Sequence, residues 1–264
     1  MNTEFILRLE DISETLAQSA AREAFDLLEY LEARLSLYRE GSDVRRINAM
    51  QAGESLVISE TTHQCLLQAI QLNQDTGGHF DVTIGQWIQQ LKHVQPNKDK
   101  SIHGSLSIDP NRPVINCIEA GRKIDLGGIG KGFALDFIKN VLIDLDILSG
   151  SFSAGASCHT VWGTAQLQCR IGPDLSESVV IENSALSASG DMVQGLHILN
   201  PNNPTEMCTG RAWVLATSAA AADAGSTAAV AAHPNHLHSL FNAASDVLQA
   251  WYWHNDRLIH WKRD

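Results

Sequence analysis

Positive charge is scarce in this sequence. Only 19 Lys and Arg stand against 30 Asp and Glu, a formal net charge of −11. A surface of that sign repels a phosphate backbone and argues against non-specific nucleic-acid binding. A phosphorylated small ligand would need local compensation from a metal ion, a lysine or backbone N–H groups. Paired cysteines are lacking too. Cys65, Cys117, Cys158, Cys169 and Cys208 are odd in number and form no C-x-x-C, a pattern of free thiols in a reducing compartment rather than a disulfide framework. The opening Met1-Asn2-Thr3-Glu4-Phe5 has no basic region, and no long apolar stretch follows it. No signal peptide is read there, so the expected location is cytoplasmic, or periplasmic only if a leader is missing. The longest uncharged small-residue run, Ala212 to Ala222, is too short and too Ala-rich to span a bilayer, so no transmembrane segment is expected. Tandem repeats and low-complexity linkers are absent.

What is present suits a soluble globular chain. Its 264 residues are 44% hydrophobic and 19% charged, ample for a buried core in one large domain or two closely packed lobes. Phe5 to Leu9 reads as a strand. Leu16, Ala20, Ala24, Leu27, Leu28, Leu31 and Leu35 mark a helix from about Ser13 to Leu37. Val44 to Ala49 reads as a short helix, and Thr61 to Asp75 as a longer one that stops at Thr76-Gly77-Gly78. Pro96 to Gly104 is polar and expected to be an exposed loop. Strands are expected at Ser105 to Ile108, Val114 to Glu119 and Arg122 to Leu126, then a helix from Lys131 to Leu145. Short strands fill Ser151 to Ser189, a loop covers Pro201 to Gly210, and Ala212 to Thr217 is a strand followed by an Ala-rich helix, Ala219 to Ala232. A strand pair turning at Asn255-Asp256 closes the chain. Helix groups mixed with antiparallel-looking strands predict an α+β class.

The segment Lys123-Ile124-Asp125-Leu126-Gly127-Gly128-Ile129-Gly130-Lys131-Gly132 is the most informative. A strand enters a glycine-rich turn and a helix begins, so backbone can approach a ligand and a helix N-terminus can face an anion. It is not a Walker A loop: the first required glycine is Asp125, and Gly132 follows Lys131 where Ser or Thr is needed. Nor is it G-x-G-x-x-G. A tight turn with no ligand is the plain alternative. Asp223 and Thr227, four apart on a predicted helix, present a carboxylate and a hydroxyl on one face. Oxygen donors suit a hard cation such as Mg²⁺; taken alone, the pair also reads as a helix charge and a packing residue. His197 is a candidate acid or base near neutral pH, or a structural histidine in a strand. His233, His236 and His238 lie together, but Pro234 breaks the helix and no Cys or carboxylate completes a metal set, so an exposed polar loop is the simpler reading.

Taken together and in order, these segments resemble the FAD:protein FMN transferases, the ApbE-like family. Leu35-Ser36-Leu37-Tyr38 with Ser42, Arg46 and Asn48 is similar to that family's LSxY…S…RLN segment. Thr76 to Gly85 resembles TGGAFDxTxGP, Asp125 to Ala134 resembles DLGGIAKGYA, Ser187 to Asp191 resembles TSGDY, His197 to Pro201 resembles HIxDP, and Asp223 to Thr227 matches D-A-x-x-T. The resemblance covers about Leu35 to Thr227. It implies a single ApbE-like domain over 1–264, with a T-fold-like α+β architecture of antiparallel sheets with helices. FAD would lie in a cleft between two closely packed lobes. It implies Mg²⁺ held by Asp223 and Thr227 with help from Gly130 and Ser226, and FAD contacts at Tyr38, Gly77, Gly78, Asp125, Gly127, Gly128, Lys131, Ser189, Asp191 and His197. Lys131 would steady phosphate oxygens and His197 would move a proton. The implied activity is magnesium-dependent transfer of FMN from FAD to a Ser or Thr of an acceptor flavoprotein, with release of AMP. The sequence departs from the pattern at Asn200 for the HIxDP acid, Asn202-Asn203-Pro204 for the following TG, Ala156 in the GG-acidic segment, Met192 for the SGDY tyrosine and Gly130 for the family's alanine. A catalytically silent FAD-binding protein and a FAD pyrophosphatase on the same scaffold are the alternatives.

Overall fold

The computed structural model describes residues 3–92, 102–172, 174–190, 198–232 and 234–263, with backbone alone for 90–92 and 204–207. Helix α1 (Glu14–Leu35) is capped by the Ser13 hydroxyl and buries Ala20, Ala24, Leu28, Leu31 and Leu35 along one stripe. It ends two residues earlier than its pattern predicts. Ser36 turns extended there, and its hydroxyl accepts the Tyr38 N–H at 3.2 Å, a local bond that competes with the helix. Helices α2 (Asp43–Ile47), α3 (Glu60–Asp75), α5 (Gly130–Asp144) and α6 (Ala219–Ala231) fall within a residue or two of expectation. Two short ones, α4 (Gly85–Lys92) and α7 (Leu237–Ala243), are not read from sequence because two turns give too little periodicity to detect.

The largest sheet runs β1 (Phe5–Leu9), β5 (Gly150–Ala154), β6 (Cys158–Trp162), β9 (Ala185–Gly190), β12 (Arg211–Ala216), β13 (Val247–His254) and β14 (Arg257–Lys262), every neighbouring pair antiparallel. Residue alternation splits it into two faces. Ala185, Ala212, Val214, Ala216, Ala250 and Tyr252 join the main core with the helices. Leu186, Trp213, Leu215 and Trp251 pack instead on Ile171, Val179 and Ile181 of the hairpin β7 (Leu167–Ile171) and β8 (Glu177–Ile181). That parity decides the site: Ser187 and Ser189 share the helix face with Ala185. A three-stranded sheet, β2 (Ser55–Val57), β4 (Val114–Glu119) and β3 (Ser105–Ile108), stands apart. The final hairpin turns where expected, Asn255 and Asp256 both adopting positive φ.

Two expectations are corrected. Arg122 to Leu126 is not a strand; it makes one isolated bridge, Lys123 to Ile84. Its backbone bonds elsewhere: the Asn48 side chain donates to Ile124 O at 2.8 Å and accepts from Ile124 N at 2.7 Å. Gly85 N–H donates to Lys123 O and Asp125 N–H to Val82 O, so two single backbone bonds and a side-chain amide hold the segment without a strand partner. Pro201 to Gly210 is not all loop, since β10 (Leu199–Asn200) and β11 (Asn203–Met207) form a small hairpin, its turn set by Asn202 N–H donating to Asn200 Oδ1 at 3.0 Å. Of the predicted exposed loop, 96–101 lie outside the described residues, and Gly104 at its end is buried against the backbone of Ala120 and Arg122.

Helix α6 is enclosed by α5 and strands β9, β12 and β13. Its sequence, AAAADAGSTAAVA, has small side chains all round, which lets neighbours approach closely. The closest approach is at Gly132, where a Cβ would lie 2.2 Å from Ala219 O and 2.8 Å from Ala220 Cα. Backbone cannot retreat as a side chain can. Gly132→Ala is therefore expected to force α5 and α6 apart and lower stability by about 3 kcal/mol, read as a lower urea midpoint at unchanged slope. A wild-type midpoint would show that the helices slide apart without loss.

Candidate functional site

The glycine turn is built from outside its own segment. Asn48 pins Ile124, and Asp125 N–H donates to Val82 O at 2.8 Å. Asp125 Oδ1 then accepts Gly127 N–H at 2.8 Å, so this carboxylate shapes the turn. Gly130 N–H donates to Leu126 O at 2.8 Å and α5 starts at Gly130 with no side-chain cap. The following N–H groups are thus left to other partners. One of them, Gly132 N–H, donates to Asp223 Oδ2 at 3.2 Å.

Asp223 is 1% exposed. Besides Gly132 it meets Lys131 Nζ, 3.5 Å from Oδ1, and the Ser187 hydroxyl, 3.0 Å from the same oxygen. Ser187 Oγ is also 2.9 Å from Ser157 O, so its single proton serves one acceptor at a time. The charge of Asp223 raises the Lys131 pKa, against the opposing pull of burial. One turn on, Ser226 and Thr227 hydroxyls donate back to Asp223 O at 3.0 and 3.1 Å. Ser189 Oγ lies 2.8 Å from Ser226 Oγ and 3.2 Å from Thr227 Oγ1.

Every residue of α6 is buried except Thr227, which faces the glycine turn. A Cβ on Gly128 would stand 3.0 Å from Thr227 Oγ1 and 3.2 Å from Phe80 Cε2; the missing methyl keeps that hydroxyl uncovered. The Asp223 carboxylate and the Thr227 hydroxyl beside Gly128 are both oxygen donors. This fits Mg²⁺, which is commonly held by one or two carboxylates plus water and substrate phosphates. Among the described residues no three His, Cys, Asp or Glu side chains meet in a metal-sized group. That speaks against an all-protein cage but not against a site completed by phosphate.

The structure thus brings Lys131, Ser189, Asp223, Ser226, Thr227 and the turn Gly127 to Gly130 together. Tyr38 sits apart at an open groove of ≈ 410 Å³ lined also by Arg45, Asn48, Gln89 and Lys123. Gly77 and Gly78 both take positive φ, and Asn202 lies against Gly78; Phe80 connects that turn to Gly128. Asp191, Met192 and His197 lie outside the described residues, as does His233. His236 and His238 are exposed, and Asn242 Nδ2 lies 3.0 Å from His238 Nδ1.

Sequence reasoning passed over three supporting groups. Ser187 positions Asp223. Asp136 on α5 accepts Ala219 and Ala220 N–H at 2.9 and 2.8 Å, tying α6 to α5; burial raises its pKa, opposed by Lys139 and these N–H donors. Asp43, fully buried, joins α2 to the start of α3. The available signals were an aspartate inside an apolar helical stretch and an aspartate directly after a capping serine.

Residues 1–252 match the ApbE family. An FAD:protein FMN transferase of Buchnera aphidicola (subsp. Schizaphis graminum) is 28% identical over 184 residues, 64% of this chain and 50% of that protein. The chain spans about half the length of the curated relatives it matches. The flavin transferase ApbE from Vibrio cholerae aligns with a TM-score of 0.81 at 20% identity, over 99% of this chain and 94% of that one. The apo flavinyl transferase ApbE of Pseudomonas stutzeri aligns with a TM-score of 0.79 at 22% identity, over the same shares, 99% and 94%. At such identities the likeness establishes the fold, the mixed helix and antiparallel-sheet architecture expected from sequence. With its pattern matched along 1–252 and its glycine turn folded against the D-A-x-x-T helix, the chain belongs to the ApbE family.

Proposed function

We propose that this protein transfers FMN from FAD to a Ser or Thr hydroxyl of an acceptor flavoprotein and releases AMP, with Mg²⁺ held by Asp223 and Thr227. The observation that carries this reading is the meeting of the glycine turn with Asp223, Thr227 and Lys131. Relatives named FAD:protein FMN transferase support the substrate. Carbonyls of Gly130 and Ser226 would complete the protein's share of the metal site. Bound Mg²⁺ would neutralise pyrophosphate charge and polarise its P–O bonds.

The chain's own residues do the rest. The N-terminal end of α5, with Lys131, holds phosphate oxygens. Tyr38, Gly77, Gly78, Asp125, Gly127, Gly128, Ser189 and Asp191 contact the dinucleotide. The acceptor hydroxyl oxygen bonds to the FMN-side phosphorus, the bond from that phosphorus to the bridging oxygen breaks, and AMP departs with that oxygen. His197 is our candidate for the hydroxyl's proton. We read 1–264 as one domain, in keeping with the family match over 1–252, and place FAD in a cleft between two lobes. We place it in the cytoplasm, since all five cysteines are free thiols. Among the described residues no helix is long and apolar enough to cross a membrane.

The test is incubation of the protein with FAD, with and without Mg²⁺, following AMP by chromatography beside a Ser/Thr acceptor peptide. Magnesium-dependent AMP with FMN covalently on the peptide is the expected result. AMP with only free FMN would make it a pyrophosphatase, and bound FAD without AMP a binding protein.

A further inference from the structure

The protein already serves the Asp223 carboxylate: Lys131 Nζ and Ser187 Oγ lie on Oδ1, and Gly132 N–H donates to Oδ2. A divalent cation that takes Oδ1 competes with the partners there, and the three groups around the carboxylate differ in how easily they can leave. Gly132 N–H belongs to the first turn of α5, which is packed so tightly on Ala219 that not even a methyl fits between them. Ser187 is 0% exposed on β9, an interior strand of the large sheet. Lys131 is different. Its side chain is 24% exposed, on a flexible four-carbon stem. At 3.5 Å its contact is long; charge-assisted N–H···O bonds usually close to about 2.7–2.9 Å. It is attracted by charge without being locked by a short bond.

We propose that Lys131 is an exchangeable counter-ion, which balances Asp223 in the metal-free protein and yields Oδ1 when the divalent cation arrives. This rests on the metal assignment above. Two cations on one carboxylate repel, so arrival of the metal expels the ammonium. Lys131 follows Gly130, where α5 begins, so the released ammonium stays at the helix N-terminus. There it meets the phosphate oxygens that come with the metal. Without Lys131, Asp223 would keep its two neutral donors but lose the counter-charge that Lys131 supplies; with it, the buried carboxylate is tolerated at the expense of metal affinity. The opposite role, a lysine that holds the carboxylate in position for the metal, predicts the reverse effect of its removal.

The experiment titrates Mn²⁺ into the protein without nucleotide and follows free Mn²⁺ by electron paramagnetic resonance. Wild type is compared with Lys131→Met, Lys131→Arg and Asp223→Asn. Lys131→Met is expected to bind Mn²⁺ about tenfold more tightly than wild type, and Lys131→Arg, which keeps the charge, within about threefold of it. Mn²⁺ should also raise the melting temperature of Lys131→Met more than that of wild type, because the empty site is less stable there. Lys131→Gln serves the same purpose if the Met variant does not fold. Equal or weaker binding by the neutral variants, with binding still lost in Asp223→Asn, overturns the counter-ion role and leaves the metal site standing. Absence of Asp223-dependent binding in every variant overturns the counter-ion role, and magnesium-dependent AMP release by Asp223→Ala then decides the metal assignment.

Discussion

Asp223→Ala is expected to abolish magnesium-dependent AMP release, with a fall of about a thousandfold or more in turnover. The carboxylate is the one charged oxygen donor in the set, and Thr227 and the turn carbonyls cannot replace its charge. Loss of metal polarisation worth about 4 kcal/mol accounts for a factor of that size. The variant also unmakes part of the scaffold. Gly132 N–H loses its acceptor, Lys131 loses its counter-charge, and Ser187 retains Ser157 O. Because Lys131 reaches solvent, its share of the damage is partly relieved, and the folded state should survive with lower stability. The measurement is AMP release from FAD across a magnesium titration, with melting temperature recorded on the same samples. Undiminished release at ordinary magnesium would sink the metal assignment, whatever happened to stability.

Asp43→Ala is expected to be among the most destabilising single changes away from the site. Asp43 Oδ2 accepts Ser59 N–H at 2.9 Å, Ser59 Oγ–H at 2.6 Å and Thr62 Oγ1–H at 2.9 Å, and Oδ1 accepts Arg46 Nη1 at 3.1 Å. Arg46 is 44% exposed and can return to water, so the cost falls mainly on buried Thr62 and half-buried Ser59, about 3 kcal/mol. Burial alone would push the Asp43 pKa up. The hydrogen bonds from Ser59 and Thr62, with the Arg46 charge, outweigh it and hold the carboxyl below its ordinary range. A depressed folded pKa gives stability that is present above the unfolded value, about 4, and is lost as pH falls through the folded value. Urea midpoints of wild type and Asp43→Ala should therefore differ most near neutrality and converge in acid below that pH. A gap that held constant into acid would mean that Asp43 contributes packing rather than charge.

Much of the frame was legible before any coordinates. The apolar spacing of α1 shows its buried stripe, and the structure adds caps that the sequence reading did not name, Ser13, Ser42, Ser59 and Ser218. The glycine turn and the D-A-x-x-T helix were visible as types of structure, because backbone freedom and helical spacing are local properties of the chain. The misreadings share one cause. Arg122 to Leu126 has a strand's residues, but Ile124 at its centre bonds to the Asn48 side chain, 76 positions away. In the loop after Pro201, one asparagine side chain set a turn that composition does not reveal.

The sequence by itself determined the types of the longer elements, the net negative charge and the residue kinds that can hold a cation and a phosphate. Which residues meet was decided by tertiary structure alone. Lys131 and Asp223 are 92 positions apart, Asp136 and Ala219 are 83 apart, and Ser187 and Asp223 are 36 apart. No local pattern carries such pairings. They follow from strand parity, which aims Ser187 and Ser189 at the helices, and from the near-contact of α5 and α6 at Gly132. That contact puts the first turn of one helix against a carboxylate of the other, making separate motifs a single charged, oxygen-lined site.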